Sequence, residues 1–201
     1  MDMPVTIVDL LRHGEPEGGP RFRGTVDDPL STAGWAQLEA ATAHGAWDHI
    51  VCSPLRRCRE FAQVLAGQRG LECQIEADFR EISFGLWEGL TWTQVEADYG
   101  AALAHFWQDP VAYPPPQGEP VADFSARVEA AWQRLVSDVA SRRVLVVAHG
   151  GTIAMLLRSV LGMPLSHSWR VRMGYAGLAR LRLDHTQHGL LTSLLRLDPG
   201  A

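Results

Sequence analysis

Several common signatures are missing from this chain, and each absence removes a class of function. No C-x-x-C pair occurs, and the three cysteines, Cys52, Cys58 and Cys73, are an odd count without zinc-site spacing, which suits reduced thiols packed in a core. Neither G-x-x-x-x-G-K-[ST] nor G-x-G-x-x-G is present, so a P-loop and a dinucleotide-binding turn are unsupported. H-x-H, D-x-D and H-E-x-x-H are absent too, and a metal site is not expected. There is no run of about 18 apolar residues, and the opening MDMPVTIVDLLRHG has an early Asp and no basic n-region. A cytoplasmic location is the resulting expectation, with no membrane partner. Positive charge is also in short supply: a net charge of −5 and a pI near 5.9 argue against nucleic acid held on a broad basic face. Any anion must then be gripped by a local cluster of Arg and His.

What is there reads as one α/β domain over residues 1–201, with 46% hydrophobic and 20% charged residues. The apolar run Val5, Ile7, Val8, Leu10, Leu11 ends in Arg12-His13-Gly14, the pattern of a buried strand delivering polar groups at its carboxyl end. Ser31 caps a predicted helix carrying Trp35, Leu38 and Thr42 on one face. Ile50–Cys52 predicts a short strand, and Ser53-Pro54 opens a second helix, LRRCREFAQVLAG, closed by Gly67. A further strand is expected at Gln74–Glu76, a Gly-punctuated loop at Arg80–Gly89 and a helix around Thr93–Tyr99. The proline-rich stretch Phe106–Pro120 reads as a surface loop, and 90–120 as a whole as a lid-like insertion. Spacings of three and four from Phe124 to Val139 predict a long amphipathic helix, and Val144–Val147 a central parallel strand ending in His149-Gly150-Gly151. Thr152–Leu161 predicts another helix, and GLARLRL and GLLTSLLRL, around a turn at DHTQHG, two further strands.

Two buried parallel strands thus end in His-Gly, His13-Gly14 and His149-Gly150, at the sheet edge where open α/β folds bind ligands. The helix beginning at Pro54 offers a positive dipole end and a second arginine. Its apolar stripe, Leu55, Cys58, Ala62 and Leu65, is flanked by Arg57 with Phe61 and Val64, whereas Arg56 falls with Arg59, Glu60 and Gln63 on the polar side. Arg57 is therefore the site candidate. REISFGLWEG supplies Glu81, close to a strand end, as a proton donor, and Glu88 reads as a first-turn residue meeting a helix dipole. His44, His49, His105, His167, His185 and His188 read as surface residues.

In chain order, LLRHGE, FRGTVDDPLSTAGWAQ, CSPLRRCREFA, REISFGLWEG, GEPVADFSARV and VVAHGGTI resemble the motifs of the histidine phosphatase superfamily, the phosphoglycerate-mutase-like proteins, over about residues 5 to 160. The resemblance implies a three-layer sandwich, a mainly parallel sheet with helices on both faces, and a metal-independent, acid-type phosphomonoesterase without cofactor. It implies that His13 is the nucleophile, that Arg12, Arg57 and His149 bind the transferring phosphoryl group, and that Glu81 is the acid and later the base. Arg23 and Gly24, in Phe22-Arg23-Gly24, and Gly150 join the implied phosphate contacts. Pro16 stands where many relatives have Thr or Ser, and Pro120 where Ser is usual after Gly-Glu, so the rim is altered. The segment 90–120 contains neither Lys nor Arg, which favours a phosphatase over a mutase.

In detail the motifs look most like the α-ribazole phosphatase branch. The expected partner is then a small phosphorylated metabolite, and a homodimer is compatible with the sequence. Sugar-phosphate or phosphoglycerate turnover, or phosphate binding without catalysis, are the alternatives. The segment Trp92–Pro116 is expected to wall the pocket; its aromatic residues Trp92, Tyr99, Phe106, Trp107 and Tyr113 are at positions more often core than ligand contact, and those that do line the pocket would favour a flat, uncharged leaving group.

Overall fold

The computed structural model describes residues 5–140 and 142–200. Within them β1 (Val5–Arg12), β2 (His49–Cys52), β3 (Cys73–Ile75), β4 (Arg143–Ala148), β5 (Leu178–Thr186) and β6 (Gly189–Asp198) form one sheet in the order β3-β2-β4-β1-β5-β6. β1 to β4 pair in parallel, β5 runs antiparallel to β1, and β6 antiparallel to β5. Val144 to Ala148 of β4 are all buried. Because successive strand residues face opposite ways, Val144, Val146 and Ala148 join one apolar cluster with Val8 and Leu10, while Leu145 and Val147 join another with Leu11 and Ile50. A strand buried on both faces needs cover on both. Helices α1 (Thr32–Thr42) and α2 (Arg56–Arg69) cover the second cluster, and α3 (Trp92–Gln108), α4 (Val121–Asp138) and α5 (Gly150–Val160) the first. The expected three-layer α/β sandwich is the fold observed.

Asp9 interrupts the apolar run of β1 and is nonetheless buried. Trp47 Nε1 donates to it at 2.9 Å, and Arg180, its register partner on β5, donates twice at 2.8 and 2.9 Å. A buried carboxylate needs such partners, and here they also lock the antiparallel strand beside β1. Gly14 and Gly34 permit a second close approach: a Cβ on Gly14 would strike the backbone of Gly34, and one on Gly34 the backbone of Glu15. Ser31 caps α1 through Gly34 N at 3.0 Å and itself donates to Glu15 O, so α1 is pressed onto the turn that follows His13.

Several predicted boundaries move. α2 starts at Arg56 rather than Pro54 and runs past Gly67 to a left-handed Gly70 (φ 65°). Arg69 in that last stretch donates to Gly45 O and, at 2.8 Å, to Thr42 O, so tertiary contacts hold the helix past the glycine that was expected to end it. Val64 and Leu55 fall outside the buried face of α2, while Phe61 lies on it. β3 begins one residue early. α3 does leave helical geometry at Tyr99 (φ −134°, ψ 23°), where its end was predicted, but resumes to Gln108 because Leu103 and Phe106 are buried in the core. The lid-like reading of 90–120 therefore meets a segment whose first half is a core-anchored helix. The β5–β6 hairpin pairs as far as Thr186 and Gly189, which narrows the expected DHTQHG turn to Gln187 and His188. Among the described residues no helix is long and apolar enough to cross a membrane.

Candidate active site

β1 and β4 end side by side, Arg12 in register with Ala148, and this brings His13 against His149 with ring centroids 5.2 Å apart, edge to face. Nδ1 of His13 lies 2.7 Å from Gly14 O. A carbonyl only accepts, so Nδ1 carries the proton and the Nε2 lone pair is left free for attack on an electrophile. Burial, then the charges of Arg57 and Arg12, hold the His13 pKa well below the ordinary histidine value, against a smaller raising effect from Gly14. The neutral, nucleophilic form is thereby favoured.

Arg57 is 1% exposed and donates to Val26 O at 2.7 Å and Gly24 O at 2.9 Å, whereas Arg56 is 43% exposed and pairs with Glu60 at 2.7 Å. Arg12 donates to Met173 O and lies 4.7 Å from the Tyr175 ring centre. Nε of Arg12 and Nε of Arg57 are both buried without a partner. Both side chains line one cavity and neither meets a carboxylate in an ion pair among the described residues, so two cations stand there side by side and favour an anion between them. Burial lowers the pKa of both guanidinium groups.

The positive end expected at α2 is already taken, since Arg56 N donates to Asp27 at 2.6 Å. Instead the N-terminus of α5 does this work at the site: Gly151 N donates to Glu81 at 2.9 Å, and Ile82 N to its other oxygen at 3.0 Å. Arg127 on α4 donates to the carbonyls of Asp78, Arg80 and Glu81 and so fixes the loop carrying that carboxylate. A Cβ on Gly151 would collide with the Glu81 carboxylate. Gly151→Ala should therefore keep the fold and lower kcat on the order of tenfold or more through a displaced Glu81, since misplacement by about 1 Å is enough for losses of that order. Unaltered kcat with an intact circular-dichroism spectrum would rule this out.

His13, Arg12, Arg57, Glu81, Arg23, Gly24 and Gly150 all line one cavity of about 300 Å³. Arg23 is partly occupied, donating to Asp28 at 3.0 Å and to the carbonyls of Glu17 and Gly19. Gly24, at φ 51°, leaves no room for a side chain against Glu88. His149 is fully buried and absent from the lining; its Nε2 lies 2.6 Å from Ser53 Oγ. It supports His13 from behind, and a direct phosphoryl contact would require its ring to turn from Ser53. Burial, followed by Arg57, keeps its pKa well below the usual value. Glu88 is no helix-dipole residue: it accepts from Thr25 N and Oγ1, Ser83 Oγ and Phe84 N, tying two loops together, and Thr91 caps α3.

Sequence reasoning missed much of the mouth. Phe22, Phe84, Trp169, Tyr175, Arg21 and Arg172 line it, and of the expected aromatic wall only Trp107 does. Tyr99 packs on the core, and Tyr113 is exposed and lies against His105. The three thiols are free, Cys58 being pushed up to about 12 by burial.

The description "Histidine phosphatase superfamily (branch 1)" matches residues 8–194. The chain belongs to that superfamily. Members of the histidine phosphatase superfamily are phosphatases, and among similar proteins is a bifunctional protein of Mycobacterium tuberculosis, 32% identical over 176 residues. That alignment takes in 85% of this chain but 48% of the relative, so the chain spans about half the length of the first curated relatives it matches. A glucosyl-3-phosphoglycerate phosphatase of the same organism is 36% identical over 172 residues, 79% of this chain and 76% of that protein. A solved mycobacterial glucosyl-3-phosphoglycerate phosphatase superposes with a TM-score of 0.84 at 30% identity, covering 98% of this chain and 100% of the other. The Escherichia coli adenosylcobalamin/α-ribazole phosphatase is 31% identical over 172 residues, 82% of this chain and 83% of that one.

Proposed function

We propose that this protein is a phosphomonoesterase that works through a phosphohistidine on His13. The observation that carries the reading is the His13 ring, Nδ1 on Gly14 O and Nε2 free, in one cavity with the guanidinium groups of Arg12 and Arg57. Nε2 attacks phosphorus as the ester oxygen departs; Arg12 and Arg57 stabilise the charge on the equatorial oxygens, and Glu81 gives the leaving oxygen its proton. Glu81 then takes a proton from water, which displaces phosphate from His13 and restores the ring. Arg23 and Gly150 complete the phosphate cradle, the Gly151 amide being held by Glu81. The supply of donors by protein groups alone makes turnover in EDTA the expected result.

The substrate follows from the mouth. Phe22, Phe84, Trp107 and Trp169 offer ring faces, which favours a leaving group that itself carries a ring over a compact one. α-Ribazole 5′-phosphate, the substrate suggested by the sequence motifs, has such a ring. Arg21 and Arg172 at the same mouth favour a second reading, a sugar-bearing acid of the glucosyl-3-phosphoglycerate kind. For either, kcat/KM should exceed that for the ringless 3-phosphoglycerate by at least about tenfold, or about 1.4 kcal/mol. A side-by-side panel in EDTA checks this; preference for 3-phosphoglycerate would refute the ring requirement and leave the phosphohistidine chemistry standing.

A further inference from the structure

Beyond the mouth lies a second chamber of about 620 Å³, larger than the first. The two share Trp107, Trp169 and Arg172, so one wall serves both. Its apolar side is a run of touching rings: Trp92 and Trp107 at 5.8 Å between centroids, Phe106 and Trp107 at 5.1 Å, Phe106 and Trp169 at 5.2 Å. Phe106 is fully buried and anchors this run, yet Trp92 and Trp107 are 49% and 39% exposed. Large apolar faces held rigid and left in water are the ordinary anatomy of a ring-binding surface.

Charge in the chamber is one-sided. Asp109 is its sole acid, and its carboxylate already accepts from Val111 N at 3.1 Å and Ala112 N at 3.2 Å. Arg170 and Arg172 both line the chamber, and neither side chain takes part in a hydrogen bond or ion pair among the described residues. His167, which reads as a surface residue in the sequence, joins them there. Some surface arginines of this chain have carboxylates to meet, Arg56 with Glu60, Arg134 with Glu76 and Asp78, and Arg182 with Asp184, whereas Arg142 and Arg143, like the chamber pair, have none among the described residues. Arg170 and Arg172 stand free beside the tryptophans, where a planar donor fork suits a carboxylate or phosphate.

We infer that this chamber is a distal subsite for the far end of the leaving group, and that it takes a phosphomonoester extended by a ring and closed by a second anionic group. The ring lies on Trp107 and Trp169 and the acid meets Arg170 and Arg172. The inference rests on the phosphomonoesterase reading for its orientation, the phosphoryl group at His13, but the chamber's preference for a negative charge can be measured without turnover.

A matched pair isolates that preference: 4-(4-carboxyphenyl)phenyl phosphate and its carboxamide, alike in shape and differing in one charge. The wild-type protein should hydrolyse the acid with a kcat/KM at least fivefold above that of the amide. Arg170→Glu should reduce this acid-to-amide ratio at least tenfold and Arg170→Lys should retain most of it, the difference appearing in KM. Arg170 is exposed and its side chain bonds to nothing among the described residues, so neither variant threatens the fold. Calorimetric titration of His13→Ala protein with the same pair, with and without Arg170→Glu, reads binding alone. The same acid preference there, lost with the charge reversal, supports the subsite even where no substrate turns over, in which case it is the phosphatase reading that fails. Equal handling of acid and amide, or a ratio indifferent to Arg170→Glu, overturns the subsite while leaving the phosphatase intact.

Discussion

His13→Ala should abolish both the labelled intermediate and turnover, a loss on the order of 10⁴-fold or more, as expected when a covalent nucleophile is removed. The alternative nucleophile on the same edge is His149, and geometry separates the two. His13 lines the cavity and its Nδ1–H is fixed on Gly14 O, which directs Nε2 outward; His149 lies behind it, with Nε2 occupied by Ser53. Rapid quench with labelled substrate should therefore give an acid-labile phosphohistidine at His13, and label recovered on His149 would sink the assignment. The pH dependence gives a second check with a definite sign. A histidine nucleophile is lost on protonation, normally at about pH 6.5. Because burial and the two arginines lower the His13 pKa, the unprotonated form survives to lower pH, and the acid limb of kcat/KM should lie below about 6.5. An acid limb above that value would mean that the arginines do not act on the ring as placed.

The inner half of this site was legible because it hangs on strand ends. Arg12, His13 and His149 each follow an apolar run, broken in β1 only by Thr6 and Asp9, and a buried strand has one carboxyl end, so position in sequence translates directly into position in space. Arg57 was legible through helical phase, since residues on α2 repeat about every 3.6 positions and a one-residue step separates a buried face from a wet one. The outer half depends on elements that pack across the chain. Trp169, Arg172 and Tyr175 lie between α5 and β5, where no periodicity marks them. They reach the mouth because β5 pairs antiparallel with β1, so residues entering it start at the carboxyl edge, where Arg12 N donates to Gly177 O at 2.9 Å and Ala176 N to His13 O at 3.2 Å. The direction of that strand is fixed by Asp9 and Arg180, a pairing between residues on different strands that no local pattern shows. His149 marks a different gap. Its place at the strand end could be read from the run before it, but the turn of its ring toward Ser53 depends on β2, far off in sequence.

Arg57→Ala should cost about 2 to 4 kcal/mol of transition-state stabilisation, the range for one preorganised donor in a catalytic site, while Arg56→Ala stays near wild type. The two are neighbours with the same charge, so a long-range electrostatic effect would weaken both nearly alike. Their surroundings differ instead. Arg56 pairs in water with Glu60, an i,i+4 contact that solvent screens to little weight. Arg57 is buried between Gly24 O and Val26 O and lines the cavity, so its charge meets little screening and the donors of its fork not used by those carbonyls serve the phosphoryl oxygens. Those carbonyl contacts also tie the loop that bears Arg23 to α2, and removing them could loosen the cradle. Arg57→Lys separates the two roles: a lysine keeps the charge but cannot hold both carbonyls and phosphate in one planar fork, and so should recover only part of the loss. Equal damage from Arg56→Ala and Arg57→Ala would show that distance from the phosphate, and not the face of α2, sets the contribution. Full recovery in Arg57→Lys would show that charge alone suffices and that the planar fork of Arg57 plays no part.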